Sequence, residues 1–399
     1  MELDVLRGCL LGISAYRHLM DDPVIKEASS LLAAVVRRQG EEAVACYTRL
    51  FYALCAAEKR GLGEWLHDAL RYQESPYARL VERGGENPAL VQAARRDIEV
   101  LAALADTDCQ TLIGAMAGCL PPAFGPALAG LPQLERGAPF SFDSLTAFYQ
   151  ANGSGRFARY RAFLWEGGTL WPVEQPDCHA PEEMIGYRRQ RDQVEANTRA
   201  LLEGKAVNNV LLYGDSGTGK SAAVKSLLRL PGFEDLRLIE VRKEELGSLP
   251  ALIRSLAGRR RKFILFIDDL AFDQDDRTYS VLKTILEGGL ERRPANVAIY
   301  ATSNRRRLVR QTFSDRAGDE VDASETIQEK TSLSERFGLR IPYLAMSKGE
   351  YLDMVDALAR RHGITLEAQD LRAQALAWEM RHPGRTPRTA QQFIASLRL

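Results

Sequence analysis

Residues Gly214 to Ser221 read Gly-Asp-Ser-Gly-Thr-Gly-Lys-Ser and satisfy the spacing GxxxxGK followed by Ser or Thr at every fixed position. The setting constrains the fold more than the match does. An apolar run, Asn209-Val210-Leu211-Leu212-Tyr213, leads in, and a helical pattern carrying Ala222, Ala223, Val224, Leu227 and Leu228 leads out. A strand, a glycine-rich loop and a helix in that order call for a parallel sheet wrapped by helices. The glycines let backbone N–H groups turn inward around an anion with no Cβ in the way. The helix that follows aims its N-terminus at the same charge. Lys220 is then placed to reach the β- and γ-phosphates of a nucleotide, and the Ser221 hydroxyl to ligate Mg²⁺. The candidate phosphate-binding residues are Gly214, Asp215, Ser216, Gly217, Thr218, Gly219, Lys220 and Ser221, with ATP and Mg²⁺ as the expected ligands.

Alternation of strands and helices continues downstream. Leu236 to Val241, Phe263 to Ile267 and Val297 to Ala301 read as strands with helical stretches between them. Phe263-Ile264-Leu265-Phe266-Ile267-Asp268-Asp269 is an apolar run ending in two carboxylates. Such a strand delivers Asp268 beside the phosphate loop, where it holds Mg²⁺ through water. Asp269 falls where a general base would face the attacking water. Many P-loop ATPases carry Glu there; Asp is one methylene shorter, which is consistent with slow turnover. The strand from Val297 ends in Asn304, a candidate to orient that water, although an Asn at a strand end is in isolation a turn residue. Gly214 to Gly217 also spells the nucleophile tetrapeptide of trypsin-like serine proteases. That reading needs a β-barrel with a placed His and Asp, and it leaves Lys220 and Ser221 unexplained.

Upstream, the chain to about Ala138 reads as helices. Leu3 to Met20, Pro23 to Arg38, Glu41 to Ala57 and Asn87 to Ala105 carry apolar residues three and four apart. Pro139 to Ala180 is rich in glycine and aromatic residues and reads as a connector pinned by its rings. After Ile341 the pattern is helical again, over Lys348 to Arg361, Glu367 to Arg381 and Pro387 to Leu397. The 53 Lys and Arg balance the 53 Asp and Glu, so no global field advertises nucleic acid. The six cysteines form no CxxC pair and read as buried reduced thiols. Acidic charge precedes the short apolar run Leu10 to Ile13, unlike a secretory signal, and no stretch approaches the roughly 20 apolar residues of a membrane span. The expectation is a cytoplasmic protein without a membrane segment.

These residues resemble the AAA+ ATPases. A phosphate loop, an Asp-Asp strand and a strand ending in Asn are followed by Ser334-Glu335-Arg336-Phe337-Gly338 and a helical lid. More narrowly, the chain resembles the uncharacterised bacterial AAA+ ATPases grouped as domain-of-unknown-function family 815. The segments that carry this are Asn208 to Gly214, Phe263 to Leu270, Leu286-Glu287-Gly288-Gly289, Tyr300 to Arg306 and Leu333 to Leu339, and the similarity runs from about Ala147 to the end. The resemblance implies that Ile185-Gly186-Tyr187 lies against adenine. It implies that Arg336 is an arginine finger acting in trans within a homo-oligomer, ring-shaped if the contact closes. It implies that Arg388 is the lid arginine, with Arg385 as the rival. The fold class expected is α/β: a helical N-terminal domain over 1–138, a connector over 139–180, an AAA+ core with a parallel sheet over 181–342, and a helical lid over 343–399.

Protein-threading AAA+ machines carry an aromatic–hydrophobic–Gly loop after the second strand, and here that place holds Arg242 to Ser248 without an aromatic. The expected activity is therefore Mg²⁺-dependent ATP hydrolysis that remodels or loads an unknown protein partner. The alternative is a nucleotide-gated binding module with little hydrolysis. Arg259-Arg260-Arg261-Lys262 and Arg305-Arg306-Arg307 can meet nucleic-acid phosphates, but they read as solvated turns beside strands.

Overall fold

Three helix starts in the N-terminal part are written as a capping residue followed by proline: Asp22-Pro23, Ser75-Pro76 and Asn87-Pro88. The cap side chain accepts a free N–H of the first turn, and proline occupies the position that needs no N–H. Asp22 accepts from Val24 N at 2.9 Å, Ser75 from Ala78 N at 3.0 Å and Asn87 from Leu90 N at 3.1 Å. The computed structural model describes residues 1–272, 277–287, 293–304, 333–382 and 384–398. These fall into two units, Met1–Arg159 and Tyr160–Leu399.

The first unit is helical: α1 (Leu3–Leu11), α2 (Pro23–Val36), α3 (Gly40–Ala56), α4 (Leu62–Tyr72), α5 (Pro76–Glu82), α6 (Pro88–Ala105), α7 (Cys109–Ala117), α8 (Gly125–Ala129), α9 (Phe142–Asn152) and α10 (Arg156–Arg159). Their apolar faces meet in one core that includes Leu6, Ile25, Leu32, Tyr47, Leu66 and Ile98. One expectation needs correcting. The helix beginning at Leu3 stops at Leu11 instead of reaching Met20. The backbone N–H groups of Ser14, Ala15 and Tyr16 turn to the buried Asp97 of α6, at 2.9, 2.7 and 3.2 Å from its Oδ2. A buried carboxylate needs donors, and these three amides supply them at the expense of the helix. The cysteines are unpaired; Cys46 and Cys109 are buried, whereas Cys55 is exposed.

Among the described residues the second unit is built on a seven-stranded sheet. Its strands are β1 (Ala162–Glu166), β2 (Thr169–Val173), β3 (Val210–Gly214), β4 (Leu236–Val241), β5 (Lys262–Ile267), β6 (Val297–Ser303) and β7 (Leu339–Tyr343), in the spatial order β2-β1-β4-β5-β6-β3-β7. Every neighbouring pair is parallel except β1 and β2. Phe263 to Ile267 of β5 are fully buried, as a parallel strand covered on both faces must be. Helices α11 (Arg188–Leu202), α12 (Lys220–Lys225), α13 (Leu249–Leu256) and α14 (Arg277–Glu287) connect the strands.

The stretch 139–180, read from sequence as a connector, divides between the two units. Helix α9 packs into the helical core, and β1 with β2 forms a hairpin turned by Gly167 and Gly168 at φ +57° and +73°. Two successive positive φ values suit a tight hairpin turn. Strand β1 then pairs in parallel with β4, Leu164 beside Glu240, and extends the sheet.

Helices α15 (Lys348–Arg361), α16 (Ala368–Glu379) and α17 (Pro387–Ser396) close the chain. They share a core of their own around Tyr351, Met354, Leu358 and Phe393. The second unit is thus α/β, a largely parallel sheet with the phosphate-loop sequence after β3 and a helical lid, α15 to α17, after β7. Among the described residues no helix is long and apolar enough to cross a membrane.

Candidate nucleotide-binding site

Strand β6 lies between β3 and β5. The three segments that leave these strands, the phosphate loop, Asn304 and Asp268-Asp269, therefore meet at the carboxyl ends of the strands. This is the end where open α/β sheets bind ligands.

Gly214 ends β3 at φ +135°, and a Cβ there would stand 2.2 Å from the Tyr343 carbonyl oxygen of β7. Gly217 and Gly219 take φ +74° and +88°, conformations that glycine adopts without steric cost. Lys220 is 6% exposed. Its Nζ donates to Gly214 O at 3.1 Å, Asp215 O at 2.7 Å and Asn304 Oδ1 at 2.8 Å. Burial pulls its pKa below the ordinary lysine value, opposed by the charges of Asp215, Asp269 and Asp268. Ser216 to Ser221 line a cleft of about 490 Å³, a volume typical of small-molecule sites. Asp215 faces elsewhere: its N–H donates to Tyr343 O at 2.9 Å and its Oδ2 accepts from Ala345 N at 2.6 Å.

The acidic side of the cleft is a hydrogen-bonded network. Ser221 Oγ donates to Asp268 Oδ1 at 2.6 Å. Asn304 Nδ2 donates to Asp269 Oδ1 at 2.8 Å. Asn304 thereby bridges Lys220 and Asp269. Asp269 has φ +52°, a left-handed backbone that costs a non-glycine residue about 1 kcal/mol. One residue here is not singled out by the sequence. Thr302, 2% exposed, donates from Oγ1 to Asp268 Oδ1 at 2.5 Å and accepts from Asp269 N at 2.9 Å. Its position two residues before Asn304 is the available signal, because i and i+2 share a strand face.

The opposite wall is less polar. Ile185, Gly186 and Tyr187 line it with Met184, Met354 and Leu358. Gly186 has φ +82°, and a Cβ there would meet Met346 Cε at 2.6 Å. Tyr187 stacks on Tyr343, centroids 5.0 Å apart and planes at 25°. Its hydroxyl donates to Leu344 O at 2.6 Å, and burial pushes its pKa up to about 12. From the lid, Thr386 caps α17 by accepting from Thr389 N at 3.2 Å. Arg388 N donates to Gly217 O at 3.2 Å, and Arg388 lines the cleft. Arg385 instead pairs with Glu379 at 3.4 Å.

The family described as "Protein of unknown function (DUF815)" matches residues 158–398. The chain belongs to this family. No curated protein matches the sequence. Among solved structures the DUF815 chain is similar to the Thermotoga maritima RuvB Holliday junction branch migration motor, at 16% identity and a TM-score of 0.37 over 55% of this chain. A single-substitution variant of the same motor gives the same values. The chain spans 64% of the length of those RuvB chains. The family description names no activity, so function has to come from the site.

The donor set of this DUF815 site fits Mg²⁺ shared with a nucleotide. Ser221 and Asp268 offer two oxygens, and Mg²⁺ favours few protein ligands beside phosphates and water. Among the described residues no three His, Cys, Asp or Glu gather into a metal cage. His179 lines the cleft, 3.8 Å from Glu183. Arg336 is not part of the cleft lining; it pairs with Glu287 at the end of α14. Of the basic runs, Arg261 is buried and paired with Asp235, whereas Arg305 to Arg307 lie outside the described residues.

Proposed function

We propose that this protein binds ATP with Mg²⁺ and hydrolyses it, using the cycle to remodel or load a macromolecular partner. The observation that carries this reading is the network at the carboxyl ends of the strands, from Lys220 through Asn304 to Asp269 and from Ser221 to Asp268. Lys220 and the amides of Gly217 to Ser221 would hold the phosphates. Ser221 and Asp268 would hold Mg²⁺, which supplies charge neutralisation at the transferring phosphoryl group. Asp269 is the base for the attacking water, and Asn304 orients that carboxylate and the water together. Ile185, Gly186 and Tyr187 would hold the adenine, and Arg388 would meet the phosphates from the lid.

Coupling to a partner rests on the lid. The backbone bond from Arg388 to Gly217 and the bond from Ala345 to Asp215 tie the phosphate loop to the C-terminal helices. A change at the loop can move them as a body. A second reading, a nucleotide-gated switch with little hydrolysis, draws on the short Asp269 side chain and its bond to Asn304.

Turnover separates the two readings. Phosphate release from ATP–Mg²⁺ is measured for the wild type and for Asp269→Asn. The proposal expects measurable turnover that the variant loses while still binding ATP. Equal rates would move the base elsewhere, and an inactive wild type that binds ATP would leave the switch.

A further inference from the structure

We propose that Thr302 is a positioning residue that sets the two carboxylates of the site relative to each other. This inference deepens the ATPase reading and rests on it. Three contacts carry it. The Thr302 hydroxyl donates to Asp268 Oδ1 at 2.5 Å, the same hydroxyl accepts from Asp269 N at 2.9 Å, and the Thr302 carbonyl accepts from Leu270 N at 2.7 Å. One residue of β6 thus grips three consecutive residues beyond β5.

The grip has a purpose in the local geometry. A parallel strand followed by a left-handed residue would not hold that turn unaided, and Asp269 is the residue at positive φ. Strain of this kind persists where the surroundings over-determine it. The Thr302 hydroxyl has a single proton, so when it donates to Asp268 its lone pairs face the Asp269 amide. The bond to one acid therefore fixes the direction of the bond to the other. Asp268 Oδ1 also accepts from Ser221 at 2.6 Å, which makes its orientation common to Thr302 and to the residue that would share Mg²⁺ with it. Partners of this sort behind a metal ligand are worth about 10–100-fold in metal affinity or activity.

Thr302→Val keeps the shape and removes the hydroxyl; Thr302→Ser keeps the hydroxyl and removes the methyl. Wild type and both variants are compared by titrating Mg²⁺ into protein holding a fluorescent ATP analogue, with turnover measured alongside. The expected result is that Thr302→Val needs about 10–100-fold more Mg²⁺ and turns over more slowly by a similar factor. Its affinity for the analogue without Mg²⁺ should stay unchanged, and Thr302→Ser should recover most of both losses. If Thr302→Val matches the wild type in the Mg²⁺ titration, or Thr302→Ser is as impaired as Thr302→Val, the positioning role is overturned while the ATPase reading stands. If the wild type itself shows no Mg²⁺-dependent binding, the ATPase reading fails and takes this inference with it.

Discussion

The Lys220 ammonium and the Asn304 side-chain oxygen are joined at 2.8 Å, so the phosphate loop and the tip of β6 are one hydrogen-bonded unit. A γ-phosphate placed against Lys220 would be sensed directly by Asn304 and, through it, by Asp269. Asn304→Ala should therefore lower turnover more than it weakens ATP binding.

Lys220 itself gives a stability prediction. Ligand binding to the native state alone raises the unfolding midpoint by mass action. ATP–Mg²⁺ at millimolar concentration should raise the melting temperature of the wild type and leave Lys220→Ala unmoved. An unchanged wild-type midpoint would remove the central claim.

Burial lowers the Lys220 pKa, and the sign of the consequence is definite. Between the lowered native value and the ordinary 10.5, the unfolded chain holds a proton that the native chain releases. Stability then rises with pH across that window. The stability of the wild type relative to Lys220→Met should accordingly increase as the pH rises toward 10.5. Chemical denaturation at several pH values measures it, and a flat difference would show that the native site does not disfavour the charged amine.

Two loop glycines should differ in their tolerance of a side chain. A Cβ at Gly214 would stand 2.2 Å from Tyr343 O, whereas at Gly219 nothing lies within 4 Å. Gly219→Ala carries only the left-handed backbone, about 1–2 kcal/mol. Gly214→Ala adds a backbone clash and should cost on the order of 2–4 kcal/mol. Urea midpoints of the two variants decide this, and an equal loss would mean that β7 moves aside freely.

Much of this site is legible in the amino-acid sequence. The phosphate loop stands out because its glycines, lysine and serine have fixed spacing and a strand and helix around them. Asp268, Asp269 and Asn304 are legible as polar residues that end apolar strands. Thr302 is not, because a buried threonine in a strand looks like β-propensity alone. The break after Leu11 is invisible for a different reason: the amides of Ser14, Ala15 and Tyr16 answer to Asp97, which is remote in sequence. Strand β1 is hidden among aromatics that suggest a pinned connector, when Phe163, Trp165 and Trp171 belong to a hairpin on the sheet and Phe148 and Tyr149 to helix α9. Asp215 has the place of a phosphate-loop residue, but its side chain serves Ala345, and only the fold brings β7 beside it.

The partner of Arg336 is equally beyond the reach of sequence patterns. It forms an ion pair with Glu287 and is 26% exposed at its side chain, and it stays outside the cleft of its own chain. A guanidinium that does not reach its own nucleotide can act on one held by a neighbour. There its fork of donors would meet the charge on the transferring phosphoryl group, and such fingers are worth about 10³–10⁵ in rate. A contact of that kind is head-to-tail and closes into a ring when the rotation permits. The assembled protein should therefore hydrolyse ATP faster per subunit than the dilute monomer. Arg336→Ala subunits keep the phosphate loop and lack the finger, while Lys220→Ala subunits keep the finger and lack the nucleotide. Each alone should be nearly inactive, and a mixture should recover part of the activity at interfaces that combine one of each. Arg336→Lys should restore little, because a point charge does not replace the planar fork. Full activity of Arg336→Ala in a strictly monomeric preparation would rule out both the finger and the need for assembly.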